Sequence, residues 1–147
     1  MKPPPSRLFD LLDLQQADFP QEVCIATKEQ GTWRNYSTAD VIDTAERLAM
    51  GLIAMGIKPG DKVALASGNR SEWCIVDQAL LRMGVITVPI YPTSTVEDYA
   101  YILNHAGVRV FFTSNQELYN KAEAAAADVP GLKHISTFEQ LDGLPHW

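Results

Sequence analysis

Four short apolar runs recur at nearly constant spacing, and this repeat is the feature that most constrains the fold. The runs begin at Lys62, Val85, Val108 and Lys133. Their starts are 23, 23 and 25 residues apart, and a helical pattern fills each interval. Strand–helix–strand units of this length build parallel sheets, and apolar strands without alternation suit a sheet covered on both faces. The sequence therefore predicts an open, mostly parallel α/β sheet with helices on both faces, its βαβ repeats spanning residues 62–137.

The helices of the repeat are predicted from apolar residues that recur at three- and four-residue steps. They cover Ser71–Met83, Thr95–Ala106 and Asn115–Ala127. Gly84 and Gly107 follow the first two, as expected at the C-terminus of a helix.

The chain before the repeat predicts a helix, a hairpin and a second helix. The proline-rich residues 1–6 are expected to be flexible, and Ser6–Ala17 fits a short amphipathic helix. Its expected apolar face consists of Leu8, Phe9, Leu11 and Leu12. Two strand-favouring runs flank Lys28–Gly31 and predict a β-hairpin, in which Trp33 and Tyr36 pack on a neighbouring element.

The second helix is predicted over Thr38–Met55. Ser37 and Asp40 have the spacing of a capping box, and Gly56 stands where a helix C-terminus favours glycine. The predicted buried face is Ile42, Ala45, Ala49, Leu52 and Ile53. A turn containing proline and glycine then leads into the repeat.

The hydroxyl-rich turn Thr93-Ser94-Thr95 raises the question of a phosphate-binding loop. In each repeat helix, a polar residue precedes a glutamate by three positions, which predicts capping boxes. The pairs are Asn69 with Glu72, Ser94 with Glu97, and Ser114 with Glu117. A phosphate loop needs glycine for close backbone approach, whereas this turn has none and nearby carboxylates would repel an anion. The turn is therefore interpreted as a helix start, and no glycine-rich nucleotide motif occurs elsewhere.

The composition is that of an ordinary globular protein, with 46% apolar and 20% charged residues. Its 147 residues suffice for one domain with a core. A net charge of −6 argues against nucleic acid as a partner. The sequence shows no local cluster of Lys and Arg, since Lys58 and Lys62 have Asp61 between them.

The reactive side chains suggest no catalytic, cofactor-binding or metal-ligating residue. Cys24 and Cys74 are interpreted as buried free thiols, with a disulfide left open. The three histidines, none with metal-ligand spacing, are His105, His134 and His146. No serine-hydrolase elbow occurs.

The predicted strands end in residues that do not suit a receiver-like metal site. Such a site needs carboxylates at the strand ends, whereas the ends here are Ser67, Tyr91, Thr113 and Thr137. The sequence also shows no signal-peptide pattern and no apolar stretch of about 18 residues. We therefore expect a cytoplasmic protein without a transmembrane segment, with peripheral membrane contact left open.

The stretch covering residues 31–112 resembles the amino-terminal region of long-chain fatty-acid–CoA ligases, which belong to the adenylate-forming acyl-CoA synthetases. The most specific part is Asn69–Thr95, with Asn-Arg-x-Glu-Trp followed by Val-Pro-Ile-Tyr-Pro-Thr. Gly56–Leu65 and the opening Ser6–Pro20 are similar to the same group. The match covers nearly the whole chain.

The resemblance implies that residues 1–147 are an N-terminal fragment of a large AMP-binding domain. The parent enzyme would use ATP, magnesium and coenzyme A. Its fatty-acid carboxylate would attack the α-phosphate of ATP, and the thiolate of coenzyme A would then displace AMP. The family's phosphate loop, ribose-binding aspartate and lid lysine match no position here. The fragment is therefore expected to hold no catalytic, cofactor or metal residue and to be inactive alone.

Two other interpretations stay open on the sequence. The chain could be a stand-alone, non-catalytic binding module of the same fold. It could also be a small nucleotide-binding protein of flavodoxin-like build, an argument that rests on fold alone. If the chain is a fragment, surfaces that pack on the missing residues should leave a large exposed apolar patch, and the chain should self-associate.

Overall fold

The computed structural model describes residues 6–29 and 31–147. Along the described chain the elements are α1 (Asp10–Asp18), β1 (Ile25–Glu29), β2 (Thr32–Tyr36), α2 (Thr38–Ala54), β3 (Lys62–Ala66), α3 (Ser71–Met83), β4 (Ile86–Ile90), α4 (Val96–Ala106), β5 (Val110–Thr113), α5 (Gln116–Ala126) and β6 (His134–Thr137). The described residues fall into two compact units, which we call the hairpin unit, within Met1–Ile57 and Arg70–Met83, and the sheet unit, within Lys58–Asn69 and Gly84–Trp147. Residues 1–5 of the predicted flexible start lie outside the described residues.

The sheet unit contains a four-stranded sheet in the order β4-β3-β5-β6, and every neighbouring pair is parallel. The register places Val63 beside Val110, and Val110 beside His134. This architecture confirms the predicted parallel α/β sheet. β4 is an edge strand, which can accommodate Pro89 because one side of the strand needs no N–H donor for the ladder.

One face of this sheet packs against α4 and α5. Tyr99 and Leu103 of α4 are fully buried, and the Tyr99 ring meets Phe111 edge-on with 5.5 Å between centroids. The other buried members of this core are Ala64, Ala66, Ile90, Val108, Ala122, Ala125 and Val129. Alanines on α5 let that helix approach the strands closely, which explains the alanine-rich segment without a further role.

The opposite face of the same strands is buried as well. Val63, Leu65 and Phe112 are at most 3% exposed, so β3 and β5 are covered on both faces, as their unalternating apolar runs predict. Phe112 stacks on Phe138 at 6.1 Å, and Phe138 meets Trp147 at 5.7 Å. The segment after β6 therefore adds an aromatic cluster to the sheet unit.

In the hairpin unit, β1 and β2 are antiparallel, which confirms the predicted hairpin. Glu29 pairs with Thr32, so the turn has two residues instead of the predicted four, and Gly31 has a φ of 84°. Tyr36 is 6% exposed, as predicted, but Trp33 is 63% exposed, so its predicted packing is wrong. The other residues of β2 are exposed too, so only the last residue of this strand is buried.

Helix α2 has the predicted start and ends one residue before the predicted Met55. Its capping box is confirmed, since Asp40 N donates to Ser37 Oγ at 3.1 Å and Ser37 N donates to the Asp40 carboxylate at 2.9 Å. The buried residues are Thr38, Val41, Ala45, Ala49 and Leu52. The predicted face is wrong at Ile42, which is half-buried, and at Ile53, which is 59% exposed. Adjacent apolar residues made two helical registers equally plausible.

The remaining members of the predicted face, Ala45, Ala49 and Leu52, are buried as expected.

Helix α1 begins at Asp10, four residues after the predicted start, and none of its residues is fully buried. The Asp10 carboxylate accepts hydrogen bonds from the backbone N–H groups of Ser6 at 3.1 Å and Arg7 at 3.0 Å. These bonds hold the preceding residues in a turn that competes with helix. Leu8 and Leu11 are 67% and 54% exposed, so the predicted apolar face is wrong at both positions.

In two of the three repeat helices, α4 and α5, the cap lies one residue after the predicted one. Thr95, not Ser94, caps α4, and its hydroxyl accepts a hydrogen bond from the amide three residues later at 3.1 Å. Asn115, not Ser114, caps α5 in the same way at 3.0 Å. Neighbouring polar residues satisfy the spacing in either register, so the pattern alone could not choose between them. For α3, Glu72 binds the side chain of Arg70 and not the predicted cap.

Both cysteines are free thiols, but the prediction that they are buried is wrong. Cys24 lies directly before β1 and is half-buried, with its Sγ 3.4 Å from Gln15 Oε1. Cys74 lies on α3 and is exposed. Although the residue is exposed, desolvation of its thiol by neighbouring atoms, together with the nearby Asp77 carboxylate, raises the pKa of the Cys74 thiol, which disfavours the reactive thiolate.

Candidate binding edge of the sheet

Parallel strands end at the same edge of a sheet, and open α/β sheets bind ligands outside these carboxyl ends. The carboxyl edge of the sheet unit is therefore the candidate site. The sequence-predicted strand ends that it brings together are Ser67, Tyr91, Thr113 and Thr137. Tyr91 is 80% exposed, and the other three carry aliphatic hydroxyl groups.

Two of the three aliphatic hydroxyl groups at this edge donate to the protein's own backbone. Thr113 Oγ1 donates to Ser136 O at 3.3 Å, and Ser67 Oγ donates to Gly68 O at 2.7 Å. Thr137 is fully buried, and its hydroxyl has no hydrogen-bond partner within the part of the chain that the structure describes. A nucleophilic hydroxyl needs an adjacent base, and the Thr113 and Ser67 hydroxyls donate to carbonyl groups instead.

Lys121 of α5 holds the hydroxyl-rich loop between β4 and α4. Its Nζ donates to Pro92 O at 2.8 Å and to Ser94 O at 3.0 Å. The same ammonium lies 5.5 Å from the centroid of the Tyr99 ring, within cation–π range. With Thr95 capping α4, this loop is a helix start, as predicted. The ammonium that could attract a phosphate is hydrogen-bonded to carbonyl groups.

Tyr99 places a buried phenol close to this loop, a feature that sequence reasoning missed. Its side chain is fully buried, and its hydroxyl has no hydrogen-bond partner among residues 6–29 and 31–147. Burial, together with the Glu117 carboxylate, raises the pKa of Tyr99 to about 12. The phenol is therefore a neutral group at physiological pH and cannot serve as a base.

The three histidines do not assemble at the carboxyl edge. His105 lies in the last turn of α4 and His134 opens β6, so both belong to the opposite edge of the sheet. His146 Nε2 lies 3.0 Å from Phe138 O. The described residues contain no group of three or more His, Cys, Asp or Glu side chains that could hold a metal ion. Magnesium prefers carboxylate oxygens, so the strand-end hydroxyls do not fit a magnesium site.

The hairpin unit contains a buried ion pair between Arg70 and Glu72. Arg70 Nε and Nη2 donate to the two carboxylate oxygens at 3.1 and 2.8 Å, and the two side chains are 15% and 2% exposed. Glu29 Oε1 lies 3.8 Å from the same guanidinium. Burial raises the pKa of Glu72. The hydrogen bonds from Arg70 and the backbone, together with the charge of Arg70, lower the pKa by more than burial raises it. The net pKa is below its ordinary value.

This pair has a structural explanation. A bidentate arginine–carboxylate contact fixes both side chains in one geometry, and here it joins the first turn of α3 to the residue that precedes it. The sequence signal for this pair was the Arg-x-Glu spacing at a helix start. The capping-box interpretation had instead paired Glu72 with Asn69.

Among the described helices, none is both long and apolar enough to cross a membrane.

Comparisons with known proteins agree with the resemblance drawn from the sequence. The model of the family described as "AMP-binding enzyme" matches residues 12–146. The long-chain-fatty-acid–CoA ligase FadD15 of Mycobacterium bovis is 31% identical over 120 residues, which are 82% of this chain and 20% of that relative. The chain thus spans a fifth of the length of this curated relative.

In a second relative, the region that matches this chain makes up a larger share of the protein. The uncharacterized protein Rv1549 of Mycobacterium tuberculosis is 30% identical over 114 residues, which cover 78% of this chain and 58% of that protein. Among solved structures, the fatty acyl CoA synthetase of Mycobacterium tuberculosis superposes with a TM-score of 0.76 at 22% identity, covering 89% of this chain and 26% of that one. At this identity, the likeness shows the fold alone.

Proposed function

Since the chain belongs to the AMP-binding enzyme family, we propose that it is one part of an ATP-dependent long-chain fatty-acid–CoA ligase. The complete enzyme joins a fatty acid to coenzyme A and releases AMP and pyrophosphate. In this proposal the present residues supply the first strands and helices of the AMP-binding domain. Catalytic residues come from elsewhere in the parent enzyme. The overall reaction assigns the parent enzyme to fatty-acid metabolism.

The observation that supports this proposal most is the family match over residues 12–146, together with a curated long-chain-fatty-acid–CoA ligase of which this chain spans 20%. The preference for a long acyl chain rests on the name of that relative and on the Asn69–Thr95 segment of the sequence.

ATP, magnesium and coenzyme A enter the proposal as ligands of the parent enzyme. The described edge of the sheet unit does not suit them, because its Thr113 and Ser67 hydroxyls and the Lys121 ammonium bind protein carbonyls. The role that this edge can take is to hold the β4–α4 loop in place.

The proposal is tested by fatty-acid-dependent exchange between ATP and pyrophosphate. The purified 147-residue chain should show no exchange above a protein-free control, with palmitate as the acid. The coding sequence downstream of Trp147 should then reveal a Ser/Thr/Gly-rich loop that ends in Pro-Lys-Gly. Exchange by the short chain would overturn its assignment as an inactive part, and a stop codon directly after Trp147 would overturn the ligase proposal.

A stand-alone binding module is the second candidate. It is favoured by Rv1549, because the matching region makes up 58% of that relative and not a fifth. A protein built largely from this region would act by binding and not by ligation. A stop codon after Trp147, together with a folded monomer in sedimentation, would favour this candidate.

Location and self-association belong to the same proposal. A ligase part without a spanning helix fits the cytoplasm or a membrane surface. Several large apolar side chains are exposed in the described chain, among them Trp33, Met50 and Ile53. If they normally face other parts of a longer enzyme, the isolated chain should self-associate, and sedimentation at rising protein concentration should show a growing mass.

A further inference from the structure

The amino-terminal edge of the sheet unit gathers basic residues that are far apart in the sequence. From this arrangement we propose that the edge docks on the anionic surface of a phospholipid membrane. We call it the basic edge and define it by four side chains: Lys58, Lys62, Arg109 and Lys133. The proposal does not depend on the ligase assignment.

Topology creates the basic edge. Lys62 opens β3, while Arg109 and Lys133 directly precede β5 and β6. Arg109 N donates to Lys62 O at 3.2 Å, and Lys133 N donates to Arg109 O at 2.8 Å. Neighbouring strands are about 4.8 Å apart, so the three residues form a row about 10 Å long. Lys58 lies in the turn just before β3 and is exposed.

The balance of charge at this edge is positive although the whole chain carries −6. The Asp61 carboxylate accepts a hydrogen bond from Arg109 Nη1 at 2.9 Å and so offsets one of the four cations. Asp128, which follows α5, adds a second carboxylate near the edge. Lys133 Nζ donates to Pro130 O at 3.0 Å, a contact with a neutral carbonyl that leaves its charge uncompensated. Phosphate groups on an opposing surface complement this excess.

Apolar side chains at or near the same edge favour a membrane as the occupant. Ile86 of edge strand β4 is the register partner of Lys62 and is 52% exposed. His105, at the end of α4, stacks on Tyr101 at 5.7 Å, and Tyr101 is 69% exposed. Tyrosine suits the boundary between headgroups and acyl chains, while an exposed isoleucine gains by leaving water. A purely polar acidic partner would leave these apolar groups exposed to water.

The expected strength of membrane binding follows from the number of lysines at the basic edge. A lysine near an anionic membrane contributes a factor of about five to the partition coefficient. Removing Lys58, Lys62 and Lys133 should therefore weaken binding by about a hundredfold. Raised salt should weaken it as well, because exposed charges are screened within about 10 Å at 0.1 M.

The test is co-sedimentation of the full chain with vesicles of phosphatidylcholine mixed with phosphatidylglycerol, compared with pure phosphatidylcholine. The test variant is Lys58→Gln, Lys62→Gln and Lys133→Gln together. The control variant removes three exposed cations of the hairpin unit, by Lys28→Gln, Arg34→Gln and Arg47→Gln. Both variants change the net charge equally, so a difference between them reports the position of the charges.

The proposal expects salt-sensitive binding to the anionic vesicles, near-normal binding by the control variant, and about a hundredfold loss in the test variant. Equal binding to both vesicle types, no binding by the unaltered chain, or equal losses in the two variants would overturn it. Circular dichroism checks that each variant is folded. If the test variant does not fold, the single variant Lys58→Gln, in an exposed turn, should lose about fivefold, and unchanged binding would again overturn the proposal.

Discussion

The hydroxyl of Thr27, in β1, caps the first amide of α3 at Ser71, 44 residues later in the chain. Ser71 N donates to Thr27 Oγ1 at 2.5 Å, and the two hydroxyl oxygens are 2.7 Å apart. Both residues are buried, at 8% and 3% exposure. A helix start that the sequence assigned to a local cap is therefore satisfied by a distant strand, which joins the hairpin to α3.

Replacing Thr27 by Val should destabilise the chain by about 1–2 kcal/mol, because the buried Ser71 amide loses its acceptor. Val keeps the shape and the β-propensity of Thr, so the loss isolates the hydrogen bond. The matched control is Thr32→Val in exposed β2, which should change the free energy of unfolding by less than about 0.5 kcal/mol. Urea unfolding measures both, and equal stability of the two variants would contradict the role of Thr27.

The start of α4 offers a direct choice between the sequence-predicted cap and the observed one. Thr95→Ala should cost about 1 kcal/mol, because the Asp98 amide loses the Thr95 hydroxyl. Ser94→Ala should be nearly neutral, since Lys121 contacts only the Ser94 carbonyl. Urea unfolding of the two variants decides the register. A larger loss for Ser94→Ala would support the capping box with Glu97 instead.

Arg82 should control the attachment of α1, a helix without a fully buried residue. The guanidinium of Arg82 pairs with Asp13, lies 3.9 Å from Glu46 and sits 5.4 Å from the Phe9 ring. Arg82→Ala removes these contacts together, so limited proteolysis should cut within α1 sooner than in the unaltered chain.

The control for this prediction is Arg47→Ala. Arg47 forms an exposed ion pair with Asp43 within α2, at 2.8 Å, and such pairs add little to stability. Its cleavage pattern should match that of the unaltered chain. Equal cleavage rates in the Arg82 and Arg47 variants would show that α1 is attached by other contacts.

The parallel sheet could be predicted from sequence because its signal is local and repeated. Each apolar run is long enough to mark a strand, and each interval is long enough for only one helix. Helix ends were less predictable because adjacent polar residues, as at Ser94 and Thr95, offer two caps with the same spacing. Trp33 was misplaced because an aromatic residue in a strand does not reveal whether that face of the strand is covered.

Features that depend on distant residues could not be predicted. The Thr27 cap, the buried phenol of Tyr99 and the basic edge all join residues from separate parts of the sequence. For the candidate site, the strand-end residues were predicted, but the contact of Lys121 with the loop was not. A lysine in the middle of α5 carries no local sign that it lies over a loop some 27 residues earlier.

The stability of the chain should depend on pH through Glu72. Its pKa is below the ordinary value in the folded chain, because the Arg70 contacts outweigh the effect of burial. Stability from this carboxylate is therefore fully present above its unfolded pKa, near 4.5, and is lost as the pH falls through the lower folded value. Glu72→Gln should cost about 2 kcal/mol at neutral pH, and the difference should shrink progressively below pH of about 4.5.

Urea unfolding between neutral pH and about pH 3 measures this dependence, since the carboxylate of the unfolded chain takes up its proton within that window. The matched control is Glu123→Gln, which neutralises an exposed carboxylate on α5 and should track the unaltered chain at every pH. A Glu72 variant that equals the unaltered chain at neutral pH would show that the ion pair adds no stability. A constant deficit down to the acid end would instead attribute the loss to packing, because only an ionised carboxylate can lose its contribution on protonation.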